Sequence, residues 1–447
     1  MTIRNFLILI LIFFIAGAVL FAQTINLEQA RILALANSRS LASFEMSMRN
    51  SIIDERNQLY TMLPQISAGY SASFDFLRNW EFVSPIDTFQ ANLNFSITQV
   101  LFQGGKSFLQ RTISSISTES VRRSALAEYF NVLDSIDNAY YAVLEATAAL
   151  EAAESSLQSA ELSLAIAEIR AQTGIINQGE YLRALAAKES QENSRNQARR
   201  NLTLNMTRFR NLTGARDQVF ELEQINFDAY EELLHKLAGI SDEEFERLYA
   251  NFWSLIAVSN PSIARAALSS QRAELNLTNT KRDYAPTINM TVFSTGINYN
   301  TINGFNTTGS GGVTIRGTIP LDFWVMADRV EKSTIARDTA LLDFINVESS
   351  LEQELLSTLS NLFTQAGSIL SSRRSLEYND RNHEFYMARY RLSQSSVSEL
   401  NDASSSLIIS RNNLNRASYD FLRSLSRLRS MCALDDEEKL IGILLKN

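Results

Sequence analysis

From residue 66 the chain alternates apolar and polar positions without a break. Ile66, Ala68, Tyr70, Ala72, Phe74 and Phe76 fall on one face of an extended chain, and Ser67, Gly69, Ser71, Ser73 and Asp75 on the other. A second run sets Phe89, Ala91, Leu93, Phe95 and Ile97 against Gln90, Asn92, Asn94, Ser96 and Thr98. A period of two predicts strands with one face in an apolar medium and one in water, and a length of about 10 residues is that of a tilted membrane-spanning strand. Strands are expected at about 65–77 and 89–100. A weaker alternation predicts two more at about 287–299 and 312–320: Ile288, Met290 and Val292 against Asn289 and Thr291, then Val313, Ile315 and Ile319 against Thr314, Arg316 and Thr318. The phase is lost near Phe293. The polar stretches 77–88 and 300–312 read as hairpin loops facing an exterior.

Beyond each strand pair the spacing changes to three and four. Leu126, Phe130, Leu133, Ile136, Tyr140, Val143, Ala146 and Leu150 form one stripe, and Leu351, Leu355, Leu359, Leu362, Ala366 and Ile369 another. Such stripes predict long helices with coiled-coil-like packing. Ala149, Ala152, Ala153, Ser155 and Ser156 would let neighbouring helices approach closely. Neither glycine nor proline occurs in residues 106–173, a stretch that as one helix is about 100 Å long. Each stripe breaks once, near 172–179 and 392–398, where small and polar residues cluster. Two helical hairpins are therefore expected, at about 106–212 and 324–428.

The pattern is a duplication. Leu63-Pro64-Gln65-Ile66 recurs as Ala285-Pro286-Thr287-Ile288, the segment from Asn37 to Leu41 recurs near Ser259 to Ile263, and residues 170–180 recur as 389–399. The expected organisation is a leader at 1–22, a first repeat at 23–214, a linker at 215–242, a second repeat at 243–431 and a tail at 432–447. Linker and tail are expected at the equator of the helical part. The leader carries Arg4, an apolar run over 6–21 and then Ala22-Gln23, which fits a cleaved secretory signal; an uncleaved anchor is the alternative.

Composition narrows the function. Four strands cannot close a barrel, and an open sheet in lipid leaves backbone groups unpaired along its edges. Either copies of the chain complete a barrel in a membrane, or the strands form a small soluble sheet packed on helices. The net charge of −8 with mixed signs argues against a nucleic-acid partner. Cys432 is the only cysteine, so no intrachain disulfide can form, and it reads as a small core residue. His235 and His383 are far apart, so no His/Cys metal cluster can be assembled. Gly105-Lys106-Ser107 has Val100 where a phosphate loop needs its first glycine. No catalytic residue and no cofactor is expected. The run Asp435-Asp436-Glu437-Glu438 reads as a solvated tail.

Several of these segments together resemble the TolC-like outer-membrane efflux and secretion channels. They are Leu27-Glu28-Gln29-Ala30 with Ala34-Leu35-Ala36-Asn37, Leu63-Pro64-Gln65-Ile66, Gln99-Val100-Leu101-Phe102-Gln103-Gly104-Gly105, Thr173-Gly174-Ile175-Ile176 and Asn211-Leu212-Thr213-Gly214. The resemblance implies a mixed α and β membrane protein, a homotrimer whose four strands per chain make a 12-stranded β-barrel in outer-membrane lipid, continuous with a periplasmic α-helical barrel. It also implies two protein partners, a periplasmic adaptor (membrane fusion) protein and an inner-membrane transporter, in a tripartite efflux pump or type I secretion system. The duct itself would be passive and gated at its helical tips. The competing expectation is a soluble periplasmic coiled-coil adaptor or scaffold.

The resemblance also singles out residues. Glu399 and Asp402 match an acidic pair lining the periplasmic constriction; in a trimer they would form two carboxylate rings that favour cations and raise one another's pKa. Glu180 and Tyr390 match positions that help hold the tip closed. The arginine expected with them is missing, Ser395 standing in its place, with Arg389 or Arg391 as substitutes. Gly174 and Ile175 in the first tip and Ser393 and Gln394 in the second are the adaptor-contact candidates, and Ser393 replaces a glycine, so docking there is expected to differ. Phe102, Tyr284, Phe323 and Trp324 would form an interfacial girdle or pack a helix–strand junction.

Overall fold

The computed structural model describes residues 23–75, 88–215, 220–300, 304–306 and 310–446. The expected leader, the end of the first expected strand at 76–77 and the expected first hairpin loop up to residue 87 lie outside the described residues. In chain order the elements are β1 (Gln23–Ile25), α1 (Leu27–Asn37), α2 (Arg39–Tyr60), β2 (Gln65–Asp75), β3 (Thr88–Gln103), α3 (Lys106–Gln172), α4 (Gln178–Thr213), β4 (Phe220–Leu222), α5 (Glu231–Ala238), α6 (Asp242–Ser259), α7 (Pro261–Lys281), β5 (Thr287–Asn300), β6 (Gly304–Asn306), β7 (Ser310–Thr318), α8 (Phe323–Arg391), α9 (Val397–Met431) and α10 (Glu437–Lys446). The chain divides into two compact units, and each draws on both repeats: 40–128 with 257–352, and 1–39 with 129–256 and 353–447.

The first of these units holds the long strands. They pair antiparallel in the order β2-β3-β5-β7, with short β6 also on β5. The register places Ile66 opposite Ile97, Ala68 opposite Phe95 and Tyr70 opposite Leu93 on one face; Ser67 opposite Ser96, Gly69 opposite Asn94 and Ser71 opposite Asn92 lie on the other. The polar face is stitched across strands, with the Ser67 and Ser96 hydroxyls 2.7 Å apart and those of Thr98 and Thr291 3.3 Å apart. The apolar face is bare: Ile66 is 78 % exposed, Tyr70 86 % and Ile315 66 %. A sheet packed on helices, the soluble alternative, would cover those side chains, so the structure speaks against it.

The lost phase near Phe293 is not a break in the pairing, since β5 stays in unbroken register with β7 from Thr287 to Thr295. Phe293 is an aromatic residue on the polar face, in alternation with Asn289 and Thr291 and opposite Ser96 and Gly312, and a Cβ on Gly312 would meet its ring at 3.1 Å. The register of β3 with β5 shifts only on either side of this stretch, at Asn92/Asn94 and Val100/Phe102. Gly104 and Gly105 turn β3 into α3 with φ of 64° and 73°, and a Cβ on Gly104 would sit 2.6 Å from that of Ala285. Only glycine meets both demands. Beside this turn Lys106 pairs with Asp283, the Tyr284 and Phe323 rings stack at 6.4 Å, and Trp324 is exposed.

The second unit is built from helices. Asn26 begins α1 with a capping box, its side chain accepting from the Gln29 amide at 2.8 Å. β1 pairs parallel with β4, and the Tyr140 hydroxyl donates to the carbonyls of Ile25 and Glu223 at 3.1 and 2.7 Å, fastening that two-stranded sheet to α3. Residues 215–242 thus supply β4 and α5 to the core, with Leu233, Leu234 and Leu237 buried. The acidic run is not a solvated tail. It begins α10, whose Leu440 and Leu444 are buried, and Glu437 accepts the Tyr230 hydroxyl at 2.8 Å. Its acids stand at the helix N-terminus, where the backbone dipole favours negative charge. Cys432 is buried, which pushes its thiol pKa up to about 12 and leaves it unreactive.

Candidate functional site: the helical hairpin tips

Both hairpin tips are the same turn. α3 ends where the Ile175 amide reaches the Arg170 carbonyl at 2.9 Å and the Gly174 amide reaches Ala171 at 3.2 Å. α8 ends identically, Gln394 reaching Arg389 at 2.8 Å and Ser393 reaching Tyr390 at 3.0 Å. This pattern closes a helix through one left-handed residue, Gly174 at φ 75° and Ser393 at φ 61°. Three residues later an N-cap restarts the helix: Asn177 accepts from the Glu180 amide at 2.9 Å, and Ser396 from the Glu399 amide at 3.3 Å.

Ser393 therefore reproduces the backbone that Gly174 supplies, and the expected difference between the tips is confined to side chains. It bears a strain that glycine would not, because a Cβ in this region crowds the following carbonyl. Ser393→Gly is expected to stabilise the second tip by about 0.5–1 kcal/mol, strain relief less the added entropy of glycine. The check is amide hydrogen exchange at Gln394, which should slow by about two- to fivefold. Exchange at the wild-type rate would refute it.

The candidate acids sit just beyond the second turn. Glu399 completes a capping box, its carboxylate accepting the Ser396 amide at 2.8 Å and hydroxyl at 3.1 Å. Those two bonds hold the Glu399 pKa below the ordinary carboxylate range, with the backbone amide the larger cause. Within one chain this is opposite to the mutual raising expected of two acidic rings. The cap contribution is complete above pH 4.5 and is lost as pH falls through the depressed value. Asp402 is one turn on and also exposed.

The closure candidates lie in a shared core. Tyr390 is buried with Ala167 of α3, Ala184 of α4, and Val397 and Leu400 of α9, so all four hairpin helices meet there. Its hydroxyl donates to the Ser163 carbonyl at 3.3 Å. Burial pushes the Tyr390 pKa up, the Arg170 charge lowers it and Glu180 raises it, which places both charged groups in its field. Arg170, itself buried, lies 4.6 Å from the centre of the Tyr390 ring and donates to the Tyr390 carbonyl.

Arg170 is an arginine in contact with Tyr390 that the sequence did not single out. It comes from the first hairpin, whereas Ser395, Arg389 and Arg391 belong to the second. Arg389 lies 5.5 Å from the centre of the Phe385 ring and donates to the Gln394 carbonyl at 2.9 Å, bracing its own turn. Arg391 is exposed, and Ser395 donates to the Tyr386 carbonyl at 3.3 Å. The signal was present in the duplication, since Arg170 and Arg389 hold equivalent places. The adaptor-contact candidates remain open to solvent, Ile175 at 63 % and Gly174, Ser393 and Gln394 alike exposed.

Among the described residues no group of His, Cys, Asp or Glu is placed to hold a metal ion, and no helix is long and apolar enough to cross a membrane. The sequence profile described as outer membrane efflux protein matches residues 31–215 and 253–433. No curated protein matches the chain. Among solved structures, a membrane protein from Pseudomonas aeruginosa superposes with a TM-score of 0.77 at 15 % identity, covering 94 % of this chain and 92 % of that one. The CmeC outer membrane channel of Campylobacter jejuni gives 0.75 at 16 % identity over 94 % and 89 %. CusC, whose structures describe folding and transmembrane channel formation, gives 0.77 at 17 % over 94 % and 95 %. At these identities the likeness establishes a shared fold.

Proposed function

This chain belongs to the outer membrane efflux protein family, and from that premise we propose that it is the passive outer-membrane exit duct of a tripartite efflux pump or type I secretion system. Three copies place their long strands in one 12-stranded barrel in outer-membrane lipid. The helical hairpins face the periplasm, where an adaptor engages the tips and an inner-membrane transporter supplies the energy. The duct performs no chemistry of its own.

One observation carries this reading. Among the described residues the sheet of four long strands and short β6 has a bare apolar face and free edges at β2 on one side and at β7 with β6 on the other. In lipid each unpaired backbone group on those edges costs several kcal/mol. Pairing β2 of one copy with β7 of the next removes every edge and brings the strand number above the smallest known membrane barrels. Solubility in water without detergent as a folded monomer would end the reading. Extraction only by detergent, as an oligomer that heat dissociates and that shows threefold symmetry in negative stain, is the expected result.

In the trimer Glu399 and Asp402 line the tip opening as two rings of three carboxylates. Replacing them together by Gln and Asn is expected to lower the preference for potassium over chloride in planar bilayers by several-fold at 0.1 M salt, where the Debye length is about 10 Å. Unchanged selectivity would remove them from the pore lining.

A further inference from the structure

The long strands are almost free of charge. In β2, β3, β5 and β7 the only ionisable acids and bases other than tyrosine are Asp75, the last residue of β2, and Arg316 in β7. Arg316 stands opposite Asn289, in the alternation that puts Thr314 opposite Thr291. Those residues belong to the polar face; Val313 and Ile315, opposite Val292 and Met290, belong to the apolar one. Arg316 is exposed and forms no ion pair among the described residues, whereas Lys106 at the same end of the sheet is neutralised by Asp283. The Asn289 Oδ1 is buried without a hydrogen-bond partner, so Arg316 does not fold across the sheet to bond it.

A guanidinium on the lipid face would be costly, and the alternation keeps this one off that face. The next polar rows outward carry Thr314, Thr291 and Thr98, then Gly312, Phe293 and Ser96, with no charge to offset it. We propose that Arg316 is a selectivity residue of the barrel: three copies form a cationic ring inside the lumen, at the end nearest the helices, and favour the passage of anionic solutes through the outer-membrane segment. The inference rests on the trimeric barrel reading. An arginine ring is a common way to make a pore prefer anions, and in a wide aqueous lumen it acts as a long-range field rather than a binding site.

The test is reversal potential across a planar bilayer with a potassium chloride gradient, on the full-length protein. Three unit charges about 10 Å from the axis, screened over about one Debye length at 0.1 M salt, give about a fivefold effect on the chloride-to-potassium permeability ratio. Arg316→Gln should lower that ratio about fivefold and Arg316→Glu should lower it further, both effects shrinking at 1 M salt, where the Debye length is about 3 Å. Should the charge reversal impair insertion, Arg316→Cys can be inserted first and then treated in place. Cys432, the other thiol, is buried. A cationic methanethiosulfonate should restore the wild-type ratio and an anionic one should depress it. Conducting channels whose ratio ignores both the substitutions and the reagents would overturn the ring. Wild-type protein that forms no channel at all would overturn the barrel reading itself, and the ring with it.

Discussion

Replacing Asp137 by Ala is expected to cost the helical unit about 3–5 kcal/mol, because it leaves the buried Arg429 guanidinium without a counter-charge and takes from Arg31 its nearest one. Asp137 is fully buried and accepts four bonds: from Arg31 Nε at 2.7 Å on Oδ1, and from Arg31 Nη2 at 2.8 Å, Ser426 Oγ at 2.6 Å and Arg429 Nη2 at 2.8 Å on Oδ2. Arg429 is also fully buried, and its Nε and Nη1 have no partner among the described residues. Burial works against the charge of Arg31, yet the hydrogen bond and charge of Asp137 hold its pKa above the ordinary value. One carboxylate thus serves two cations, Arg429 fully buried and Arg31 nearly so.

The arrangement joins α1, α3 and α9, and Glu437 of α10 lies 3.8 Å from Arg31. It fixes how distant parts of the chain meet, which apolar contact alone specifies less sharply. Asp137→Asn should lose nearly as much as the alanine variant, since an amide turns a donor toward a guanidinium and carries no charge. Converting Arg31 and Arg429 to Met together with Asp137→Leu should recover most of the loss. Denaturant midpoints followed by helical circular dichroism in detergent measure all three. A shift under 1 kcal/mol for Asp137→Ala would show that water enters the cluster.

This cluster marks where a linear reading runs out. Strict alternation made the long strands legible, because a sheet with one apolar and one polar face imposes a period of two on neighbouring residues, as from Ile66 to Phe76. The stripe through Leu126, Phe130 and Leu133 revealed the helices for the same local reason. Residues such as Asp137, Arg31 and Arg429 meet across a hundred or more positions, and each in isolation looks like a surface charge. The acidic run at 435–438 misled likewise: composition suggested solvent, whereas Leu440 and Leu444 beyond it are the core-facing residues of a short helix. Phe293 resisted assignment because it is an aromatic residue on the polar face, where the pairing is regular but the residue type breaks the apolar–polar pattern. The tips were legible as breaks, but not as matched turns, since Ser393 shares little with glycine except the backbone it adopts.

Tyr390→Ala is expected to have the largest effect at the tips. Truncating a fully buried aromatic costs about 3–5 kcal/mol through lost burial and the cavity it leaves. Here it also removes the ring that Arg170 covers, so a second buried group loses its place. The two hairpins are joined through this side chain, with Ala167 and Ala184 on one and Val397 and Leu400 on the other. If the tips gate the duct, loosening that joint should raise the conductance of single trimers in planar bilayers and the frequency of open events. Two milder variants separate the causes. Tyr390→Phe keeps ring and cation contact and loses only the bond to the Ser163 carbonyl, about 1 kcal/mol, so its conductance should stay near wild type. Arg170→Ala keeps the ring but removes the guanidinium from both ring and carbonyl, and should open the channel nearly as far as Tyr390→Ala. If Tyr390→Ala melts earlier while its conductance is unchanged, the clasp serves stability alone and the gate lies elsewhere.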